Sequence, residues 1–196
     1  MSLTLIFGPM FSGKTTYLVH KADAASYSGD VLYITHTLET RGKLQETAFY
    51  SHNKTLTHHN FKFDIITLDH LSKLQDEVAK KYKVICIDEG QFFGEMYGHV
   101  SHLVDDLAKI VYIAALSGTS ERKVFTNSDV TKLISIADDV VILKNDVFCK
   151  RCALQKRMEY AIFTHRISSE QGETSIGGDD KYIPVCRGCW LFLNKQ

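Results

Sequence analysis

Gly8, Pro9, Met10, Phe11, Ser12, Gly13, Lys14 and Thr15 match the pattern G-x-x-x-x-G-K-[ST] in full. In such a loop the glycines let the backbone wrap closely round a phosphate. Inward N–H groups and a helix N-terminus supply partial positive charge, the lysine reaches the β- and γ-phosphates, and the hydroxyl after it binds Mg2+. The flanks agree: residues 3–7 read as an apolar strand, and residues 14–25 as a helix whose apolar positions recur every three or four. By average residue usage such a match arises by chance about once in a hundred chains of this length, and correct placement makes it rarer. Nucleoside triphosphate binding on an α/β scaffold is the expectation.

Working outward, the first 145 residues alternate short β-branched runs with longer amphipathic stretches. That alternation predicts a P-loop NTPase-like domain, a mostly parallel sheet flanked by helices. Strands are expected at 31–35, 84–88, 110–116 and 140–143, with a weaker one at 65–67, and helices at 71–81, 97–108 and 129–137. Strands this apolar are buried on both faces. Residues 35–61 are polar and aperiodic, and a loop that long inside a compact domain is usually functional. After Asn145 the pattern changes to two cysteine pairs around a strand-like stretch at 160–166. We therefore expect a nucleotide-binding domain at 1–145 and a small zinc-binding domain at 146–196.

Composition narrows the function. The chain has 196 residues, 44% hydrophobic, enough for a proper core. Its 23 Lys+Arg balance 23 Asp+Glu, so no overall field draws it to nucleic acid or to an anionic membrane. The longest apolar runs fall far short of the ~20 residues of a membrane span. The N-terminal residues carry no basic segment or cleavage site, and five cysteines are an odd count for a disulfide framework. A cytoplasmic location, with no nucleic-acid or membrane partner, is expected.

Residues 84–87 read as a buried strand that delivers Asp88 and Glu89 to its carboxyl end, where ligands bind in open α/β sheets. Asp88 is placed to join Thr15 on Mg2+, and Glu89 is then free to act as a general base. Whether Glu89 activates an alcohol or a water separates a kinase from an ATPase. Farther on, Cys149-x2-Cys152 and Cys186-x2-Cys189 are separated by 33 residues, a spacing that suits a closed tetrahedral Zn2+ site. Four protein ligands leave no open position, so the metal is expected to be structural. Lys150, Arg151 and Arg187 are expected to depress the thiol pKa values. Cys86 reads as a small core hydrophobe.

Taken together, these motifs resemble the type II, cytosolic-type thymidine kinases. The resemblance runs over nearly the whole chain: Gly8 to Lys14, Ile87-Asp88-Glu89-Gly90-Gln91-Phe92-Phe93, Ala114-Ala115-Leu116 with Gly118-Thr119 and Arg122-Lys123, and Ile176-Gly177-Gly178 with Asp180-Lys181-Tyr182 and Cys186-Arg187. It implies transfer of the ATP γ-phosphate to the 5′-hydroxyl of thymidine, with Glu89 as base. It implies further that Asp88 and Gln91 join Gly8 to Thr15 among the ATP-binding residues. The substrate-binding set it implies is Met10, Phe92, Leu116, Phe125, Thr164, Ile176, Gly177 and Tyr182, and it implies that the zinc domain carries a lasso loop between its two cysteine pairs, which closes over the nucleoside and reads the pyrimidine edge through its backbone. ATP, Mg2+ and structural Zn2+ follow as cofactors, a homotetramer as the assembly and dTTP as a feedback inhibitor.

The chain departs from the family pattern at Ser117, where an Asp is usual, at Ser120, where an aromatic is usual, and at Glu39, which replaces an Asp. Arg41, Arg122 and Arg166 are candidates to offset transition-state charge. Two alternatives stand beside the kinase. A nucleic-acid-binding P-loop ATPase with a zinc ribbon would need a basic, aromatic face, yet the zinc segment carries Glu159, Glu170, Glu173, Asp179 and Asp180. An inactive scaffold sits poorly with intact Lys14, Thr15, Asp88 and Glu89.

Overall fold

The computed structural model describes residues 1–38, 62–144, 147–169 and 177–195. Six parallel strands form one sheet: β1 (Ser2–Gly8), β2 (Val31–His36), β3 (Asp64–Leu68), β4 (Val84–Ile87), β5 (Ile110–Leu116) and β6 (Asp139–Ile142). Their spatial order is β3-β2-β4-β5-β1-β6. Because side chains alternate across a strand, neighbouring residues feed two different cores. Leu3, Leu5, Phe7, Ile34, Ile85, Ile87, Val111 and Ile113 pack on one face, and Ile6, Tyr33, Val84, Cys86 and Ala114 on the other. Burial on both sides explains the unbroken apolar runs, and places Cys86 in the core as expected.

Register sets the position of the site. Gly8 pairs with Leu116, and Ile34, Ile87 and Ile113 lie side by side. The segments that follow β1, β2, β4 and β5 therefore emerge together at one edge of the sheet. Helix α1 (Lys14–Ser26) starts there and buries Leu18, Val19 and Ala22 on the Tyr33 face.

The other face is covered by shorter pieces than periodicity predicts. The helix expected at 71–81 is a 3-10 turn, Leu71–Lys73, and a single turn α2 (Asp76–Ala79), because Leu74 and Gln75 between them are extended. Leu71 and Ala79 still reach the core, so two turns satisfy the apolar spacing that reads as one helix. The stretch expected as a helix at 97–108 is α3 (Met96–Ser101) running into a π-helical segment, His102–Asp106. The wider π turn lets consecutive Leu103 and Val104 both face the core below Met96 and Val100. Residues 129–137 hold a 3-10 helix, Val130–Ser135, anchored by Asp129, whose carboxylate accepts the Met96 N–H at 2.7 Å.

The cysteine-bearing unit has its own small core. Strands β7 (Phe163–Arg166) and β8 (Tyr182–Val185) pair antiparallel, flanked by α4 (Lys150–Leu154) and α5 (Arg187–Leu193). Tyr160, expected inside the strand, makes only an isolated bridge to Phe148. The expected boundary at Asn145 lies outside the described residues.

Candidate active site

At the end of β1 the chain cannot carry a side chain: a Cβ on Gly8 would collide with the Ser12 hydroxyl and come within 2.6 Å of the Leu143 carbonyl. Phe11 and Gly13 then take left-handed backbone conformations, φ 68° and 82°, which a glycine adopts freely and a phenylalanine rarely does. The result is a closed curl whose exit is the N-terminus of α1. Lys14 is buried, and its ammonium donates to the Pro9 carbonyl at 2.8 Å, inside the curl. Ser12 Oγ is buried with no hydrogen-bond partner among the described residues. A curl with buried donors and a helix N-terminus suits a polyphosphate.

Asp88 follows β4 at the same edge. Its carboxylate accepts the Tyr33 hydroxyl at 2.9 Å and the Glu89 N–H at 2.9 Å, and the nearby Thr15 hydroxyl also favours its ionised form. Burial, and next the negative charge of Glu89, push the Asp88 carboxyl up to about 7, against the pull of those donors. Thr15 and Asp88 thus place a hydroxyl and a carboxylate beside the loop, a donor set that suits Mg2+. Glu89 has φ 54° and ψ 42°, a left-handed conformation costing a non-glycine residue about 1 kcal/mol or more. Gln91 helps hold it there: its amide N–H donates to the Glu89 carboxylate and its amide oxygen accepts the Leu116 N–H at 2.9 Å.

The residues expected around a nucleoside are partly brought together. The Met10 N–H donates to Thr164 Oγ1 at 2.9 Å, joining the phosphate loop to β7 across 154 positions. Phe92 lies beside the His36 ring, 5.6 Å between centroids. Phe125 and Tyr182 are buried, and the Tyr182 hydroxyl accepts from Arg166 at 3.2 Å. A Cβ on Gly177 would overlap the Lys181 side chain, which would have to shift to admit one. Ile176, Glu39 and Arg41 lie outside the described residues.

The four cysteines converge with all ligand sulfurs within 4.8 Å of one another, and none is in a disulfide. Cys152 Sγ lies 3.8 Å from that of Cys186 and 3.5 Å from that of Cys189. Sulfurs about 2.3 Å from a tetrahedral Zn2+ would be about 3.8 Å apart, so the set fits that ion. The two halves match: Cys149 caps α4 and Cys186 caps α5, each sulfur accepting the N–H of the second cysteine of its pair at 3.5 Å. Of the cations expected to tune the thiols, Arg151 instead lies over the Phe192 ring and Arg187 over the Phe163 ring. Arg157 donates to Cys152 Sγ.

Four residues that sequence reasoning passed over matter to this geometry: Tyr33, His36, Arg157 and Trp190. Only Tyr33 carries a local signal, since a hydroxyl in an otherwise apolar buried strand needs a partner. His36 is read from its contacts alone: Nδ1 accepts the Leu38 N–H at 3.0 Å, and Nε2 therefore donates to the Asp69 carbonyl at 3.0 Å. Desolvation of the ring lowers its pKa.

The family model described as thymidine kinase matches residues 1–190. A thymidine kinase of raccoon poxvirus is 35% identical over 192 residues, covering 96% of each chain. Thymidine kinase 1 of Dictyostelium discoideum is 37% identical, covering 96% of this chain and 77% of its own, and a rice thymidine kinase is 35% identical, covering 95% and 65%. Among solved structures, the flagellar accessory protein FlaH of Methanocaldococcus jannaschii aligns with 91% of this chain and 74% of its own at 16% identity and a TM-score of 0.47. With the phosphate loop, the acidic strand end and the cysteine cluster all inside the matched span, the chain belongs to the type II, cytosolic-type thymidine kinase family.

Proposed function

We propose that this protein is an ATP-dependent thymidine kinase, transferring the γ-phosphate to the 5′-hydroxyl of thymidine, and of deoxyuridine, to give dTMP in cytoplasmic nucleotide salvage. The observation that carries the reading is the closed phosphate loop with buried Lys14, beside Asp88 and Glu89 at the end of β4, in a member of the thymidine kinase family. Gly8 to Gly13 supply backbone donors to the triphosphate, and the Lys14 ammonium balances charge on its β- and γ-groups. Thr15 and Asp88 would hold Mg2+, which when bound offsets charge on the phosphate oxygens.

Glu89 takes the 5′-hydroxyl proton as that oxygen bonds to the γ-phosphorus, and the bond from phosphorus to the bridging oxygen breaks to release ADP. Gln91 fixes the orientation of that carboxylate. Met10, Phe92, Leu116, Phe125, Thr164, Ile176, Gly177 and Tyr182 enclose the nucleoside. Residues 1–145 form the nucleotide-binding domain, and residues 146–196 the zinc domain, whose Zn2+ on Cys149, Cys152, Cys186 and Cys189 is structural. We take the enzyme to be a homotetramer inhibited by dTTP.

Purified protein incubated with labelled ATP and three nucleosides tests the reading. A backbone that reads the pyrimidine edge accepts thymine and uracil and mispairs with cytosine. Thymidine should be used best, deoxyuridine next, and deoxycytidine less well by about 10⁴-fold, as for a site whose buried polar groups are left unpaired. Efficient use of deoxycytidine, or no transfer to thymidine, would overturn it.

A further inference from the structure

Between Leu116 and Phe125 the chain forms a tight loop closed on Thr119. The Thr119 N–H donates to the Lys123 carbonyl at 2.9 Å, and the N–H groups of Lys123 and Glu121 donate to Thr119 Oγ1 at 3.1 and 3.3 Å. Arg122 at the tip is left-handed, φ 61°, a conformation that persists in a bulky residue only where its surroundings hold it. Ser117, Glu121, Arg122, Lys123 and Val124 are all exposed, so the loop buries little apolar surface of its own.

What fastens it belongs to the cysteine unit. The Arg122 guanidinium lies 3.7 Å from the centroid of the Trp190 ring and 5.2 Å from that of Phe163. The Trp190 indole N–H donates to the Ser120 carbonyl at 2.9 Å, across 70 positions. Trp190 follows Cys189 directly in α5, and Phe163 opens β7. We propose that Arg122 and Trp190 are positioning residues for nucleoside binding, a latch through which the four-cysteine unit holds the 117–124 loop and with it Leu116 and Phe125. A cation over an indole face and a hydrogen bond from the same ring act in different directions, so together they restrain both the distance and the rotation of the loop. Ser120 takes part through its backbone, so the loss of the family's aromatic side chain at that position does not weaken the contact. The proposal rests on the kinase reading above, because it is that reading which sets Leu116 and Phe125 against thymine.

The latch predicts a split in the kinetics. Arg122→Ala should raise KM for thymidine by about three- to tenfold, leaving kcat and KM for ATP within about twofold. Arg122→Lys, which keeps a cation, should recover part of the loss, and Trp190→Phe, which keeps a ring and removes the N–H, should fall between. Arg122 is exposed, so its variants should fold, and unchanged zinc content by elemental analysis checks that they do. Trp190 is the chain's only tryptophan, so a titration of its emission with thymidine gives the binding constant directly, and that constant should move with KM. Native turnover of thymidine with KM unchanged in Arg122→Ala and Trp190→Phe would sink the latch and leave the kinase standing. A native protein that does not phosphorylate thymidine would overturn the kinase reading first, and the latch with it.

Discussion

Replacing Thr164 by valine keeps the volume of the side chain and removes the one atom that accepts the Met10 N–H. Both residues are nearly closed to solvent, 6% and 7% exposed, and the hydrogen bond is 2.9 Å long. A buried N–H left without an acceptor costs about 1–3 kcal/mol. In a chain of this size each kcal/mol moves the melting temperature by about 2–4 °C, so Thr164→Val should melt about 2–12 °C below native. Thr164→Ser keeps the hydroxyl and loses one buried methyl, about 1 kcal/mol. The two variants thus separate a hydrogen-bonding role from a space-filling one. If the bond to the phosphate loop matters, serine is the more stable variant; if Thr164 only fills space, valine is. Scanning calorimetry without nucleotide decides the order. Thr164→Val matching or exceeding Thr164→Ser would refute the argument that this bond ties the two units together. Because Met10 lies in the phosphate loop, ATP affinity of the valine variant should fall as well.

Three further outcomes follow from the same geometry. Glu89→Gln keeps the shape of the side chain and removes only its basicity, so phosphorylation should fall by about 10²- to 10⁴-fold with ATP affinity near native; activity within tenfold of native would move the base elsewhere. Native protein should carry one Zn2+ per chain by elemental analysis, and Cys186→Ser should lose it together with the order of β8 and α5, weakening nucleotide binding through the Met10 to Thr164 bond. Asp88, raised to about 7, is more protonated when folded than its ordinary value near 4 allows, so its contribution to apo stability is full below about pH 4 and is lost as pH rises through about 7. Mg2+ needs the ionised form, so binding of Mg2+·ATP near pH 7 should release protons and weaken as pH falls; calorimetry in two buffers of different ionisation enthalpy would show no such difference if Asp88 were already ionised.

Legibility in the sequence follows the range of the interactions. Residues 110–116 form a strand with the bounds read from the sequence alone, because a strand buried on both faces is a continuous apolar run with polar ends. The expected helix at 14–25 differs from α1 by one residue at its end. Residues 71–81 and 97–108 misled because apolar spacing reports which residues face a core and is silent on how the backbone turns between them. Leu71 and Ala79, or Leu103 and Val104, reach that core through short 3-10, α and π turns as readily as through one regular helix. Local geometry at the phosphate loop was legible for the opposite reason: the positive φ of Gly13 and the clash of a Gly8 Cβ with Ser12 are set within a few residues, although the Leu143 carbonyl also crowds Gly8 from far along the chain.

The contacts that join the two units show no such trace. Thr164 meets Met10 across 154 positions, and Trp190 meets Ser120 across 70. A threonine in a short strand and a tryptophan after a cysteine look ordinary in their own neighbourhoods, and only the fold supplies their partners. The same holds for charge. A net charge of zero argues against a nucleic-acid partner, yet it hides where single cations are committed: Arg122 on an indole, Arg151 on Phe192, Arg157 on a cysteine sulfur. Each of these arginines contacts the cysteine-bearing unit or belongs to it, and of the three only Arg122 was a sequence candidate for phosphate chemistry. Removing the metal should therefore disturb the nucleoside side of the site through Arg122 and the phosphate side through Met10, two routes that the Arg122 and Thr164 variants can separate.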